Sequence, residues 1–509
     1  MPTPSTWPTA PRTSTSRALT RGAFALSFAL ALAAGQRAEA SGLATARFGG
    51  EHGHPTTDNP TATYYNPAGI GLSTGTHIFI DGTLALRWAS YERPESAINN
   101  PGTGTPDEAI DANAGKATLF NVIGAPFVGV TSDFGTQGLV VGGASFSVPF
   151  GGQAVWNANE KYQGSDRYPG AVDGVQRWYT IDGALRSMYI TGSLAFHLKK
   201  IGLAIGVSGS AIYSGVNTIR ARNADGTDDL VLSQDFDNPA NLKEGRSLID
   251  VSGWQGGFGI GAVWHLRDKF WVGASYTSQP NVVGGMKLKG TLVNILASAR
   301  QPDETEVEFT QTLPDIIRLG FRVRPLEKLE LRLFGDFTRW SVMDKQCVLD
   351  SGVEDRNCEF PGADTALDNP SGFGSGQNAN GDTVVKGVTQ HLPRFWKNGG
   401  GVRFGASYFF TEKVEGYAGL GYDSTAVPVQ TVDAALLDMH KMSVSVGGRF
   451  QIVRNFALAL TLTDLIYFPL DTKGRNVLNQ FQAPTRQADA NGVYKSNIAV
   501  ANLYLDVSF

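Results

Sequence analysis

Apolar and polar residues alternate with a period of two through most of the chain, the pattern of strands with one greasy face. In "FALALTLTDL" Phe456, Leu458, Leu460 and Leu462 share one face while Ala457, Ala459, Thr461 and Thr463 share the other. "VRFGASYFF" sets Val402, Phe404, Ala406, Tyr408 and Phe410 against Arg403, Gly405, Ser407 and Phe409. "WQGGFGIGAVWHL" sets Trp254, Phe258, Ile260, Ala262, Trp264 and Leu266 against Gln255, three glycines, Val263 and His265. The second face is small or polar, with occasional charge, where a soluble core would carry bulk.

This reading predicts fourteen strands, at about 77–91, 116–131, 138–150, 186–198, 201–215, 251–266, 270–280, 303–324, 329–341, 395–410, 414–424, 439–452, 456–468 and 494–509. The connections alternate in length. "SDFGTQ", "KK", "RDK", "PLEK", "TEK" and "VRN" are short; the runs from Glu92, Gly151, Val216, Asn281, Val342, Thr425 and Pro469 are long. Seven long loops, six short turns and an even strand count describe an all-β, 14-stranded antiparallel transmembrane barrel. Closure removes the sheet edges that lipid cannot solvate. Both termini then fall on the periplasmic side. The closing "ANLYLDVSF" puts Leu503, Leu505, Val507 and Phe509 on one face, and a terminal aromatic is common in bacterial outer-membrane barrels. Trp88, Tyr91, Trp271, Trp340, Trp396, Tyr467 and Phe468 lie near strand ends and are expected in the two interfacial girdles.

Composition sharpens this picture at the N-terminus. Arg12, Arg17 and Arg21 precede the apolar run Ala23–Gly35, and "AEA" (38–40) is a small-residue cleavage site, so residues 1–40 read as a secretory signal peptide. No later apolar run is long enough for a spanning helix. Without residues 1–40 the chain has 39 Lys and Arg against 46 Asp and Glu, a balance that excludes a nucleic-acid partner. Hydrophobic residues make up 42%, which suits strands that are apolar on one side only. The two cysteines, Cys347 and Cys358, fall in the longest loop; after export they are expected to form one disulfide, being too few for a structural zinc site.

If the first strand begins near His77, residues 41–76 have no strand to join. They include "DNPTATYYNPAGIGLSTG" (58–75), rich in turn formers, at the periplasmic end of a barrel too wide for its own side chains to fill. A plug inside the lumen is the expected place for them. The domains are then a signal peptide (1–40), a hatch (41–76) and a barrel (77–509). In "NPAGIG" Pro67 presets a backbone angle, Asn66 can bond neighbouring backbone groups, and Ala68 separates Pro67 from Gly69, which with Gly71 permits close approach.

The stretch "SGLATARFGGEHGHPTTDNPTATYYNPAGIGLSTGT" resembles the N-terminal hatch of the FadL/TodX family of outer-membrane long-chain fatty-acid and hydrocarbon transporters. The resemblance returns at "SVPFG" (147–151), "SGWQGGFGIGAVWHLRDKFWVGASYTSQ", "LPDIIRLGFRVRPLEKLELRLFGDFTRWS" and "VRFGASYFFTEKVEGYAGLGYDSTAVP", so it covers nearly the whole exported chain. It implies a monomeric barrel in the Gram-negative outer membrane that moves a hydrophobic small molecule (fatty acid, alkane or aromatic hydrocarbon) by passive diffusion. No cofactor is implied, and outer-membrane lipid surrounds the barrel. In this family the ligand leaves sideways where strand three bends. Strand three is "GLVVGGASFSVPFGG", and Gly142 and Gly143, lacking side chains, are expected to form that bend. Pro126 in strand two lacks an amide donor and is expected to weaken the seam beside it.

Other chemistry is less well supported. His52 and His54 form an i, i+2 pair with no matching carboxylate and histidine set, so no metal site is expected. "NADGTDD" (223–229) lacks the bidentate Glu and spacing of a calcium loop. There is no G-x-S-x-G, His197 and His265 fall near periplasmic strand ends, and no catalytic residue is assigned. A general diffusion porin or a loop-displaying adhesin is the alternative; neither has use for a hatch.

Overall fold

The computed structural model describes residues 53–98, 107–223, 226, 228, 244–282, 285–295, 302–378 and 380–509. The expected signal peptide, the start of the hatch, and His52 lie outside them. Among the described residues nineteen strands belong to one sheet, and fourteen close into the barrel wall. The first seven are β1 (Thr76–Arg93), β2 (Gly115–Ser132), β3 (Val140–Val155), β4 (Asp182–Leu198), β5 (Leu203–Arg222), β6 (Gly245–Leu266) and β7 (Phe270–Thr277). The wall continues through β10 (Ile316–Leu326), β11 (Leu329–Thr338), β14 (Gly399–Thr411), β15 (Val414–Asp423), β16 (Lys441–Val453), β17 (Phe456–Tyr467) and β19 (Val493–Ser508). Closure is by β19 against β1, in unbroken register from His77↔Ser508 to Glu92↔Val493. Phe509 completes the seam: its amide donates to Thr76 O at 2.9 Å and its carbonyl accepts from Thr76 N at 3.2 Å.

The expected alternation is present. Leu84, Trp88, Ile260, Phe404, Leu460, Leu462 and Leu503 stand exposed on the outside, whereas Ala457, Ala459, Thr461 and Thr463 are buried on the inside. In a bilayer the exposed face is covered by lipid. Five of the seven aromatics assigned to the girdles are corrected: Tyr91, Trp271, Trp340, Trp396 and Tyr467 are buried inside, and only Trp88 and Phe468 face outward. Residue parity decides this for Tyr91, Trp271 and Tyr467, because neighbours along a strand point to opposite faces; Trp340 lies in a 3-10 helix and Trp396 in the loop before β14, both off the wall strands. Outward aromatics pair instead as Trp88 with Phe120 (5.3 Å between ring centroids) and Tyr213 with Trp254 (5.1 Å).

One expected strand, 303–324, is two. β9 (Asp303–Gln311) and β10 are separated at 312–315, where Pro314 cannot donate to a ladder. β9 does not join the wall beside β7. It pairs with β8 (Met286–Ile295), which pairs with the outer half of β6, and on its other side with β12 (Lys345–Asp350), which pairs with β13 (Val388–Pro393). β6 is long enough to hold β7 at its inner half and this ridge at its outer half. The fifth extra strand, β18 (Leu470–Asp471), pairs with the outer end of β19.

The outer half of the lumen is filled by the long loops. Tyr91, Leu119, Phe150, Trp178, Trp340, Phe373, Phe481 and Tyr494 belong to one buried cluster that unites wall strands with loop segments. Buried ion pairs tie the loops together. Arg177 grips Glu244 with two bonds (2.9 and 3.1 Å), and Arg246 joins Glu244 to Asp173 at 2.7 Å each. Arg93 is fully buried against Asp228, and this ion pair braces the cap. Cys347, on β12, is bonded to Cys358.

Candidate functional site

Three features lie in the lumen: a packed N-terminal segment, an interrupted seam between β2 and β3, and a cavity lined by wall strands and loop residues. The segment 53–75 contains a one-turn helix, α1 (Ala62–Tyr65), followed by a 3-10 helix (Pro67–Leu72). Asn66 fixes the junction. Its side-chain oxygen accepts from Ala68 N at 3.1 Å, while its amide donates to Pro55 O at 2.8 Å and to Ala262 O on β6 at 3.0 Å. Thr63 donates to Ser145 on β3 at 2.8 Å, and Ser275 on β7 donates to the Tyr65 carbonyl at 2.7 Å. Arg322 on β10 pairs with Asp58 at 3.2 Å, and the Arg318 guanidinium lies 4.6 Å from the Tyr64 ring centre. Tyr65 packs with Phe79, Phe127, Ala459 and Tyr504, reaching β1, β2, β17 and β19.

Small inner-face residues make this contact feasible. A Cβ on Gly206 would lie 2.4 Å from Ala68 N, one on Gly261 1.9 Å from Asn66 Oδ1, and one on Gly273 2.2 Å from Pro55 O. The wall is stripped of side chains where the segment's backbone lies against it. Within the segment, Gly69 has the same role, facing Thr57 O, and Gly71 faces Ala195. Asn66, Pro67, Ala68, Gly69 and Gly71 are thus all buried in one structure.

Gly142 and Gly143 lie where the register of β3 is unbroken. Both sit in regular ladders, opposite Ser132 and Thr131 on β2 and opposite Leu194 and Ser193 on β4. Gly143 is small because Thr63 and Ile70 pack over it. The irregularity lies further along β3, where the register against β4 slips between Ser147 and Phe150 and leaves Val148 and Pro149 out of the ladder. Pairing of β3 with β2 also stops there. It runs from Ser132↔Gly142 to Phe127↔Ser147, and the next β2 residue is Pro126. Beyond it, toward the loops, β2 is laddered only to β1 and β3 only to β4. The sequence placed Pro126 beside this seam but overlooked Pro149, whose missing amide was visible in "SVPFG".

A cavity of about 100 Å³ lies on the luminal side, lined by apolar groups including Leu185, Val216, Ile249, Phe309 and Leu392, and by Arg87, Arg220 and Arg394. Gly152, Gln153 and Ala154 of β3 form another part of its wall, so it abuts the interrupted seam. Arg394 is paired with Asp433 at 2.7 Å. Arg220 instead donates to two neutral acceptors, Gln487 Oε1 (2.7 Å) and Gln390 Oε1 (2.9 Å), with no ion pair among the described residues. Arg220, Gln390 and Gln487 also line a second, more polar cavity of about 320 Å³ toward the loops, with Arg222 and Arg486. None of these residues stood out in the sequence; inward-facing Arg in strands was the available signal.

His197 and His265 meet at the inner mouth, Nε2 to Nε2 at 3.1 Å, and His54 contacts Thr56 at 2.8 Å. No metal-binding group of three His, Cys, Asp or Glu occurs among the described residues.

The family model for outer membrane protein transport proteins (OMPP1/FadL/TodX) matches residues 22–467. The chain belongs to this family. Its place is therefore the outer membrane and its class is transport. Among solved structures, it resembles a Pseudomonas aeruginosa FadL homologue with a TM-score of 0.67 and 15% identity, over 92% of this chain and 100% of that one. The Ralstonia pickettii toluene transporter TbuX is similar with a TM-score of 0.56 and 16% identity, over 92% and 99%. The P. putida toluene transporter TodX gives 0.56 and 13%, over 92% and 99%. At these identities the likeness is one of fold. Among curated protein sequences none matches the chain.

Proposed function

We propose that this FadL/TodX-family barrel carries acidic amphiphiles, with long-chain fatty acids as the fitting class, from the outside into the lumen and out sideways between β2 and β3. The single observation that carries the substrate class is Arg220, a guanidinium held by neutral amides at the junction of an apolar and a polar cavity. A carboxylate is the acceptor such a group lacks, and a charge-assisted, two-pronged bond suits arginine. The apolar walls below it would take the chain. The described cavity holds only part of a long chain, so passage requires neighbouring side chains to move. Segment 53–75 touches the wall from β1 to β7 and again at β10, which supports a hatch that blocks the axial route and makes the β2–β3 gap the exit. A filled lumen argues against a general diffusion porin. A wall closed by one chain supports a monomer.

Binding of hexadecanoate and of neutral hexadecane to the detergent-solubilised protein tests this reading. Arg220→Met should weaken hexadecanoate binding by about tenfold or more, the usual effect of losing a hydrogen bond to a charged group, and leave hexadecane binding nearly as it was. Equal loss for both probes, or loss for neither, would exclude Arg220 as the carboxylate site.

A further inference from the structure

The β2–β3 gap has a lower and an upper edge, and the two are built differently. The lower edge is main chain: the Phe127↔Ser147 pair ends a regular ladder. The upper edge begins with side chains, and a main-chain bond follows only above them. Asn121 on β2 donates from Nδ2 to Val155 O at 3.1 Å and accepts from Val155 N at 3.3 Å. One side-chain amide thereby reproduces the double exchange that a neighbouring strand residue would make. Arg87 stands opposite Asn121 in the β1–β2 register and reaches across β2 to donate to Gln153 O on β3 at 2.8 Å. Just above, Asn157 binds Thr118 through its main-chain amide (2.9 Å) and its side chain (3.0 Å). Between the edges, Val122–Pro126 of β2 faces Val148–Ala154 of β3 without ladder bonds.

We propose that Arg87 and Asn121 form a polar latch across the β2–β3 seam, which sets the upper limit of the lateral window and so the bulk of ligand that can leave by it. This rests on the lateral-exit reading above. A ladder opens only by unzipping cooperatively, but a side-chain bond is released by rotamer change, with both strands left in place. The upper edge is thus the one that can yield. Arg87 and Gln153 also line the apolar cavity, so a ligand there touches the latch directly. A carboxylate is a stronger acceptor for Arg87 than the Gln153 carbonyl is, because charge-assisted bonds are about twice as strong as neutral ones. An arriving acid head group therefore draws Arg87 away from β3 and frees one of the two fastenings. The ligand that must pass helps to open the gap.

The test is uptake by cells that make the full-length protein and lack other fatty-acid import, with hexadecanoate and its bulky analogue 16-pyrenyl-hexadecanoate measured side by side. Asn121→Ala removes both bonds to Val155 and should raise the ratio of bulky to slim uptake by about tenfold, given two lost hydrogen bonds of ordinary strength. Arg87→Met should shift the ratio in the same direction by a smaller factor. Heat-modifiable mobility of each variant establishes that the barrel assembles, and because the readout is a ratio it is independent of the amount assembled. A ratio unchanged from wild type in both variants would overturn the latch while leaving lateral exit standing. Wild-type protein that imports neither probe would overturn the transport reading and the latch with it.

Discussion

The two halves of the lumen are filled in opposite ways. In the inner half the wall gives up its side chains, and glycines on β5, β6 and β7 let the backbone of 53–75 lie directly against the strands. In the outer half the wall keeps bulky residues such as Tyr91, Leu119, Phe150 and Tyr494, and loops pack on them as a soluble protein packs its core. The inner contact joins backbone wedged against glycine and side-chain to backbone bonds with small apolar clusters, the largest around Tyr65. The outer contact is broad and apolar, punctuated by the Arg177–Glu244–Arg246–Asp173 chain and by Arg93–Asp228. Broad apolar packing tolerates local change, whereas a backbone wedged against glycine does not.

Breaking the inner contact should therefore give the largest effect. Gly206→Val would place its side chain where Pro67 and Ala68 main chain lies, 2.4 Å away at the Cβ alone, and backbone cannot rotate aside as a side chain can. Overpacking of this kind costs about 1–3 kcal/mol or more, enough to raise the unseated population by about fivefold or more. Liposome swelling with a small sugar should report a matching rise in leakage, with the barrel still heat-modifiable. Wild-type leakage from the variant would count against the segment as the axial barrier.

The outer half should respond to Arg177→Met with a smaller and more local change. The substitution leaves Glu244, which is nearly buried, with Arg246 as its remaining partner. Breaking a buried pair costs about 3–5 kcal/mol at the site, here divided among loop contacts that the apolar cluster also holds. Burial alone would push the Glu244 carboxyl up, but Arg177 and Arg246 hold it below its ordinary value. Its contribution is thus fully present above the ordinary carboxyl range and fades as pH falls through the lower folded value. Limited proteolysis should cut the 165–180 and 244–246 region faster in the variant, and the difference between variant and wild type should shrink in acid. Equal cleavage at neutral pH would show that apolar packing alone holds the cap.

The same contrast decides what could be read from the sequence. Period-two alternation was clear wherever one face meets lipid, so thirteen of the fourteen expected strands correspond to single wall strands, although β3, β5 and β6 run five to seven residues further into the loops than the pattern indicated. It failed at 303–324 because β9 leaves the membrane wall for the ridge, and an alternating pattern does not say which neighbour a strand takes. β8, β12 and β13 were missed for the same reason: outside the lipid they need no greasy face. Inward aromatics such as Tyr91 and Tyr467 lie near strand ends, but nearness to an end does not set the face and parity does. At the site, Asn66 and its neighbours were conspicuous as turn chemistry. A glycine under a packed segment, as Gly143 is, and a glycine at an irregular strand look alike in sequence, and the register slip lies instead at Val148 and Pro149. Arg87, Asn121 and Arg220 carry no motif; their meaning comes from what the barrel brings opposite them.

The smallest effect expected is from the disulfide, although it sits in the longest loop. Cys347 and Cys358 are separated by 11 residues, so closing their loop removes little unfolded-state entropy, worth about 3 kcal/mol at most on a chain-entropy account. Even that applies only to the segment it closes. Cys347 is already fixed on β12, laddered to Thr310 on β9 and to His391 on β13, and His391 stacks on Phe360 at 4.1 Å just beyond Cys358. The strands and the ring stack hold most of the geometry that the bond would impose. Cys347→Ser with Cys358→Ser should accordingly leave heat-modifiability and hexadecanoate uptake close to wild type, and speed amide exchange only within about 351–362, the part with no ladder of its own. Loss of uptake, or exchange spreading into β9 and β13, would mean that the ridge depends on the bond and that the outer half is less self-supporting than its packing indicates.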